Sequence, residues 1–167
     1  YMGKILRVDL THREIIKQNL SEEVAKQYIG GSGLGARFLF DETDKNTHPF
    51  GEENVLMFLT GPLVGTTVPC SGRHAVVAKS ALGIWGEGDV GGTWGVNLKR
   101  AGYDGIIIKG KSRKPVYLWV TDEKIRIREA SHIWGKDTYE VEGIIKSETH
   151  EKAVITCIGP AGEKMSK

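Results

Sequence analysis

The stretch from Cys70 to Lys111, CSGRHAVVAKSALGIWGEGDVGGTWGVNLKRAGYDGIIIKGK, constrains the fold more than any other. Gly72-Arg73 leads straight into an apolar run, Ala75-Val76-Val77-Ala78. A glycine-rich segment follows, holding Gly83, Gly86, Gly88, Gly91, Gly92 and Gly95. Helical spacing then runs from Trp94 to Ala101 and breaks at Gly102, before a second apolar run, Ile106-Ile107-Ile108. Strand, glycine loop, helix, strand is the layout of a phosphate-binding turn. Glycines permit positive φ and let backbone N–H groups approach an anion. A helix N-terminus adds positive partial charge. Pattern alone leaves a purely structural loop as an equal reading. Gly91-Gly92-Thr93-Trp94-Gly95 is not G-x-G-x-x-G, and Gly110-Lys111-Ser112 lacks the upstream spacing of a P-loop.

The flanking chain reads as short elements of both kinds. Lys4–Leu10 alternates apolar and polar residues and predicts a strand, with Arg13–Asn19 as its hairpin partner. Ser21, followed by Glu22 and Glu23, predicts a helix start, with Val24, Tyr28 and Ile29 on its buried face. The glycines at 30–35 break that helix, and helical spacing resumes over Leu34–Asp41. They either let two helices meet closely or let one cross near a large ligand; they match no phosphate fingerprint. Residues 43–53 read as a loop. Asn54–Leu59 reads as a buried strand, and residues 74–79 and 105–109 as strands of the central stretch. Pro115–Val120 and Lys124–Arg128 predict a further hairpin. Asp137 with Glu140 is a capping-box signal for a helix over 138–148. Ala153–Ile158 reads as a last buried strand. The order is neither strict βαβ nor hairpins alone, so the fold class is α+β with mixed β-sheets.

The 167 residues suffice for one domain, 1–167, with a real core. A net charge of +2 gives no electrostatic case for nucleic acid or a membrane surface. No apolar run reaches the roughly 18 residues of a membrane span, and no signal peptide shows. The 22 glycines exceed the usual share of about 7%, and apolar runs separate them. The excess therefore means turns and close backbone approaches rather than disorder. Cys70 and Cys157 form neither a disulfide framework nor a C-x-x-C site. They are expected to be reduced, buried and inert, which fits the cytoplasm. An Fe–S cluster takes four thiolates, so this chain alone is not expected to hold one.

Longer motifs carry a resemblance. GRHAVVAKS and GDVGGTWGVNLKRAGYDGIIIKG resemble the N-terminal domain of the tungsten-containing aldehyde:ferredoxin oxidoreductase family. GKILRVDLT, LTGPLVGTTVPCSGR, ASHIWGKDT and IGPAGE are similar to the same family in the same order. The resemblance covers nearly the whole chain. It implies a domain forming a base under a tungsten ion held by two pterin dithiolenes, with a magnesium ion bridging the two pterin phosphates. It implies aldehyde oxidation to carboxylate with water, and two electrons passed through a [4Fe–4S] cluster to ferredoxin. The cluster cysteines, the other domains and the second pterin motif belong, in that family, to chain beyond Lys167. The resemblance also allows a homodimer, and molybdenum in place of tungsten. The ending at Met165-Ser166-Lys167 and the start at Tyr1 read as those of a fragment, inactive on its own. The alternatives are a stand-alone cofactor-binding or scaffold module, and a relative with another substrate, such as an aromatic-ring reductase subunit.

The resemblance also assigns residues. Arg73 falls where the family has an arginine that hydrogen-bonds a pterin. Its five fixed donors suit planar acceptors, although an arginine at a strand end is more often an ordinary ion-pair partner. Gly91 matches a pterin-contacting glycine, and Gly92 is its neighbour in the turn. Asp89 stands where the family carries an asparagine whose backbone carbonyl helps hold the magnesium. A carbonyl ligand survives that change, but a side-chain amide donor does not, since a carboxylate only accepts. No catalytic residue is assigned. His12, His48, His74, His132 and His150 are scattered without H-x-x-x-H spacing, so zinc is not supported. Ser71 lacks G-x-S-x-G context. Trp94 is a candidate for a cofactor face, although tryptophans are more often core or interface residues. The basic run Lys109, Lys111, Arg113 and Lys114 reads as a solvated loop. Arg73 and the backbone from Asp89 to Gly92 are expected on one open, glycine-lined surface.

Overall fold

A computed structural model describes residues 1–166. Eight strands and five helices follow in the order β1 (Lys4–Asp9), β2 (Glu14–Asn19), α1 (Glu22–Tyr28), α2 (Gly31–Glu42), β3 (Val55–Thr60), β4 (His74–Lys79), β5 (Trp85–Val90), α3 (Trp94–Arg100), β6 (Gly105–Lys109), β7 (Val116–Val120), β8 (Ile125–Glu129), α4 (Thr138–Glu148) and α5 (Gly159–Glu163). Six strands form one sheet in the order β2-β1-β6-β3-β4-β5, and β7 and β8 pair as a separate hairpin. Only β1 and β6 run parallel; the other pairs of the large sheet are antiparallel. The fold is α+β with mixed pairing.

Both faces of the large sheet are covered. On one, Ile5, Val55, Met57, Leu59, Val77 and Ile107 pack against Leu34, Phe38 and Leu39 of α2 and Ala25 of α1. On the other, Leu6, Val8 and Ile106 meet Leu98 of α3, with Leu118, Val120, Ile125 and Ile127 of the small hairpin packed around them. A third cluster, Ala130, Ile133, Val141 and Ile145, seats α4.

Local chemistry explains the helix ends. The Ser21 hydroxyl accepts from the Val24 N–H at the start of α1. The capping box at α4 is complete: the Asp137 carboxylate accepts from the Glu140 N–H, and Glu140 accepts from the Asp137 N–H. The glycines at 30–35 serve close packing. A Cβ on Gly33 would stand 2.1 Å from the Tyr28 carbonyl oxygen, and one on Gly35 would stand 2.8 Å from Val77. They let α2 start at Gly31 rather than Leu34, and let it lie directly on β4.

A buried ion pair ties the chain's start to the sheet. The Asp104 carboxylate takes an ion pair from Lys99 and accepts from the N–H groups of Met2 at 2.9 Å and Gly3 at 2.7 Å. The Asp104 carbonyl accepts from the Thr60 hydroxyl at 2.7 Å.

Four expectations change. The segment expected as one glycine loop contains a strand: β5 pairs with β4 from Lys79–Trp85 to His74–Val90. A hairpin turn over 80–84 precedes it, so the layout is strand, hairpin, edge strand, short turn, helix. Ile29 is exposed, because it is the C-cap of α1 and leaves the helix at φ 65°. Ala153–Ile158 forms no strand among the described residues, because no neighbouring strand pairs with it. Cys70 and Cys157 are free but exposed, since each lies in an irregular segment outside the core.

Candidate cofactor site

The register of β4 and β5 builds the site. His74 opens β4 and pairs across to Val90, the last residue of β5. Arg73 and Gly91 are therefore the next residues off the same end of the ladder. Gly72 then packs on the turn itself: a Cβ there would stand 2.8 Å from the Gly92 carbonyl oxygen. Gly92 has φ +84°, a conformation that glycine adopts freely and side chains resist. It reverses the chain between β5 and α3, so the first turn of α3 lies beside the start of β4. Gly95 completes the junction, within 3.4 Å of Gly72 and 3.3 Å of His74 as measured from a Cβ at that position.

Arg73, Asp89, Gly91 and Gly92 all face solvent. Arg73 forms no salt bridge among the described residues, so its guanidinium donors are not engaged by a carboxylate. Nothing stands within 4 Å of where a Cβ would be on Gly91 or Gly92. Asp89 lies on the edge strand opposite Ala75. The sequence-assigned residues thus gather at one corner of the sheet.

Behind the turn is a cavity of about 440 Å³. Its lining includes Gly91, Gly92, Trp94, His74 and the ion pair of Glu142 and Lys146. Trp94 stacks on the His74 ring with centroids 4.7 Å apart. His74 was not separable from the other histidines by spacing. What marks it is its place directly after Arg73 at the start of an apolar strand. Burial pushes its imidazole below the ordinary histidine range, while the Asp89 carboxylate opposes that shift. A larger, more apolar groove of about 660 Å³ runs between α3, β7 and the unpaired 153–158 segment.

No group of three or more His, Cys, Asp or Glu side chains stands together to hold a metal among the described residues. A ligand at the turn would instead meet backbone groups, one arginine and an aromatic wall.

The model of the family described as aldehyde ferredoxin oxidoreductase, N-terminal domain, matches residues 5–167. The chain belongs to that family. The tungsten-containing aldehyde ferredoxin oxidoreductase of Pyrococcus abyssi is 48% identical over 165 residues, covering 98% of this chain and 27% of that protein. A Pyrococcus furiosus protein described as the WOR-like subunit of an aliphatic sulfonate oxidoreductase is 40% identical over 156 residues, covering 91% of this chain and 25% of that protein. Among solved structures, the active site complex BamBC of benzoyl coenzyme A reductase with 1,5-dienoyl-CoA superposes with a TM-score of 0.94 at 38% identity. It covers 96% of this chain and 25% of that one. The chain therefore spans about a quarter of the length of these relatives. No helix among the described residues is long and apolar enough to cross a membrane.

Proposed function

We propose that this domain, residues 1–167, is one half of a clamp for a tungsten–pterin cofactor in a larger oxidoreductase. The contact between Gly72 and Gly92 carries the reading, because it fixes Arg73 beside an open, glycine-lined turn. The residues fit such a group. A guanidinium without an ion pair offers planar donors to a pterin edge or a phosphate. Gly91 and Gly92 leave the backbone bare for close approach, and Trp94 supplies an apolar wall. When bound, the cofactor supplies two-electron redox chemistry. Arg73 would orient it, the Gly91–Gly92 backbone would hold it closely, and the backbone carbonyl of Asp89 would help hold a magnesium ion. On this reading, these residues bind and orient the cofactor.

The whole protein, on this reading, oxidises an aldehyde to a carboxylate with water. It passes the two electrons through a [4Fe–4S] cluster, held elsewhere in the chain, to ferredoxin in the cytoplasm. The family match and the names of the aldehyde-oxidising relatives support it. A second reading is an aromatic-ring reductase subunit, favoured by the likeness to the benzoyl coenzyme A reductase complex at 38% identity. Both readings use the same cofactor corner, and the substrate is chosen by the rest of the protein.

Arg73→Glu in the full-length protein is the test. The side chain is exposed and unpaired, so the fold should survive. Cofactor retention should not, because a carboxylate repels a phosphate and donates no hydrogen bond. A correctly folded Arg73→Glu protein with wild-type tungsten and pterin content would contradict the proposal.

A further inference from the structure

The groove of about 660 Å³ has two walls that lack strand partners. On one side is β7, all of which lines the groove. It pairs with β8 alone, so its other edge is free. On the other side is the 153–158 segment. No backbone N–H or C=O from Val154 to Cys157 has a backbone partner among the described residues. Ala153 and Ile155 are half-buried, Ile155 against the α4 cluster, while Val154 and Thr156 are exposed. That alternation is the period of a strand. The surroundings are apolar. Phe58 and Ile108 of the large sheet line the groove, and Val154, Ile158 and Trp134 stand exposed in it. A two-stranded hairpin is marginal by itself. A free edge beside an unpaired extended segment is a template for another strand.

We propose that a strand from the chain beyond Lys167 of the full-length protein lies in this groove, hydrogen-bonded to β7 on one side and to Val154–Cys157 on the other. The product is a second sheet of four strands, β8, β7, the added strand and 153–158, packed on the large one. Length and position favour the protein's own chain over a second copy. The matched family is an N-terminal domain, and the chain covers only 27% of the Pyrococcus abyssi relative, so most of such a protein lies beyond it. Helix α5 stands at the groove: Gly159 and Glu163 line it, and the Glu163 carboxylate accepts from the Gly135 N–H at 2.8 Å. Chain continuing past α5 therefore sets out beside the groove at high effective concentration. A second copy would first lose translational and rotational freedom. The inference is independent of the pterin reading, since neither Arg73 nor Gly91 lines the groove.

The test is amide hydrogen exchange on the full-length protein, read by mass spectrometry over residues 116–120 and 154–157. Left open, the 154–157 amides have no backbone acceptor and exchange like those of an unstructured peptide. With the strand in place, those that bond it, and the β7 amides not bonded to β8, should exchange at least about a hundredfold more slowly. Diluting the protein should leave that protection unchanged. Val154→Asp then tests whether the two walls share one strand. Val154 is 40% exposed, so a charge there should not unfold the domain. In a filled groove the charge is buried, and it should speed exchange of β7 about tenfold through the strand between them. Exchange at 154–157 as fast as in a free peptide would overturn the inference. Protection that weakens on dilution would also overturn it, because the occupant would then be a second copy. So would β7 exchange unchanged by Val154→Asp, because the two walls would then not share a strand.

Discussion

Gly72 lies so close to Gly92 that a Cβ added to it would stand 2.8 Å from the Gly92 carbonyl oxygen. Two glycines about twenty residues apart are thereby packed backbone to backbone, and Arg73 is carried to the turn by that contact. The obstacle is the peptide group of the turn, which cannot rotate aside as a flexible side chain could. Gly72→Ala should therefore displace the turn and destabilise the domain by about 1–3 kcal/mol, the usual cost of overpacking. The full-length variant should melt a few degrees lower and contain less tungsten per chain. Unchanged tungsten content with an unchanged melting temperature would mean that the turn yields without consequence.

The Lys99–Asp104 pair makes a separate prediction about stability. Burial alone would push the Asp104 carboxyl up. The Lys99 ammonium and the N–H groups of Met2 and Gly3 outweigh burial and hold it below its ordinary value of 3.8. A carboxylate with a depressed folded value stabilises the fold fully above its unfolded value. The contribution is lost as pH falls through the lower folded value. Unfolding curves of wild type and Asp104→Asn should therefore lie far apart at neutral pH and draw together in acid below 3.8. At neutral pH, Asp104→Ala should cost about 3–5 kcal/mol, because it leaves the buried Lys99 uncompensated. A constant gap between the wild-type and Asp104→Asn curves at every pH would refute the ion-pair account.

The strands that pattern predicted are those whose side chains alternate or run apolar between turns, such as β1, β3 and β8. β5 escaped because Gly86 and Gly88 carry no side chains to alternate and β-propensity disfavours them. Its ladder comes from β4, a partner that local sequence does not display. Ala153–Ile158 errs in the other direction. Its β-branched residues suit a strand, but a strand also requires a neighbour to bond with, and propensity cannot supply one. Cys70 and Cys157 were misplaced by a preference typical of their residue type, which their irregular surroundings override.

The site divides in the same way. Arg73 and Gly91 were legible only through the longer motifs around them, since a strand-end arginine and a glycine pair are ordinary features alone. The stack of His74 on Trp94 was not legible at all, because it exists only after β4 and α3 have come together.

The most direct measurement is a crystal structure of the full-length protein with its cofactor bound, read at Arg73. The guanidinium should lie within about 3 Å of a pterin or phosphate oxygen or nitrogen, hydrogen-bonding distance. The Gly91–Gly92 backbone should touch the same molecule. A cofactor seated on another face of the domain, with Arg73 and the turn open to solvent or covered only by protein, would contradict the clamp.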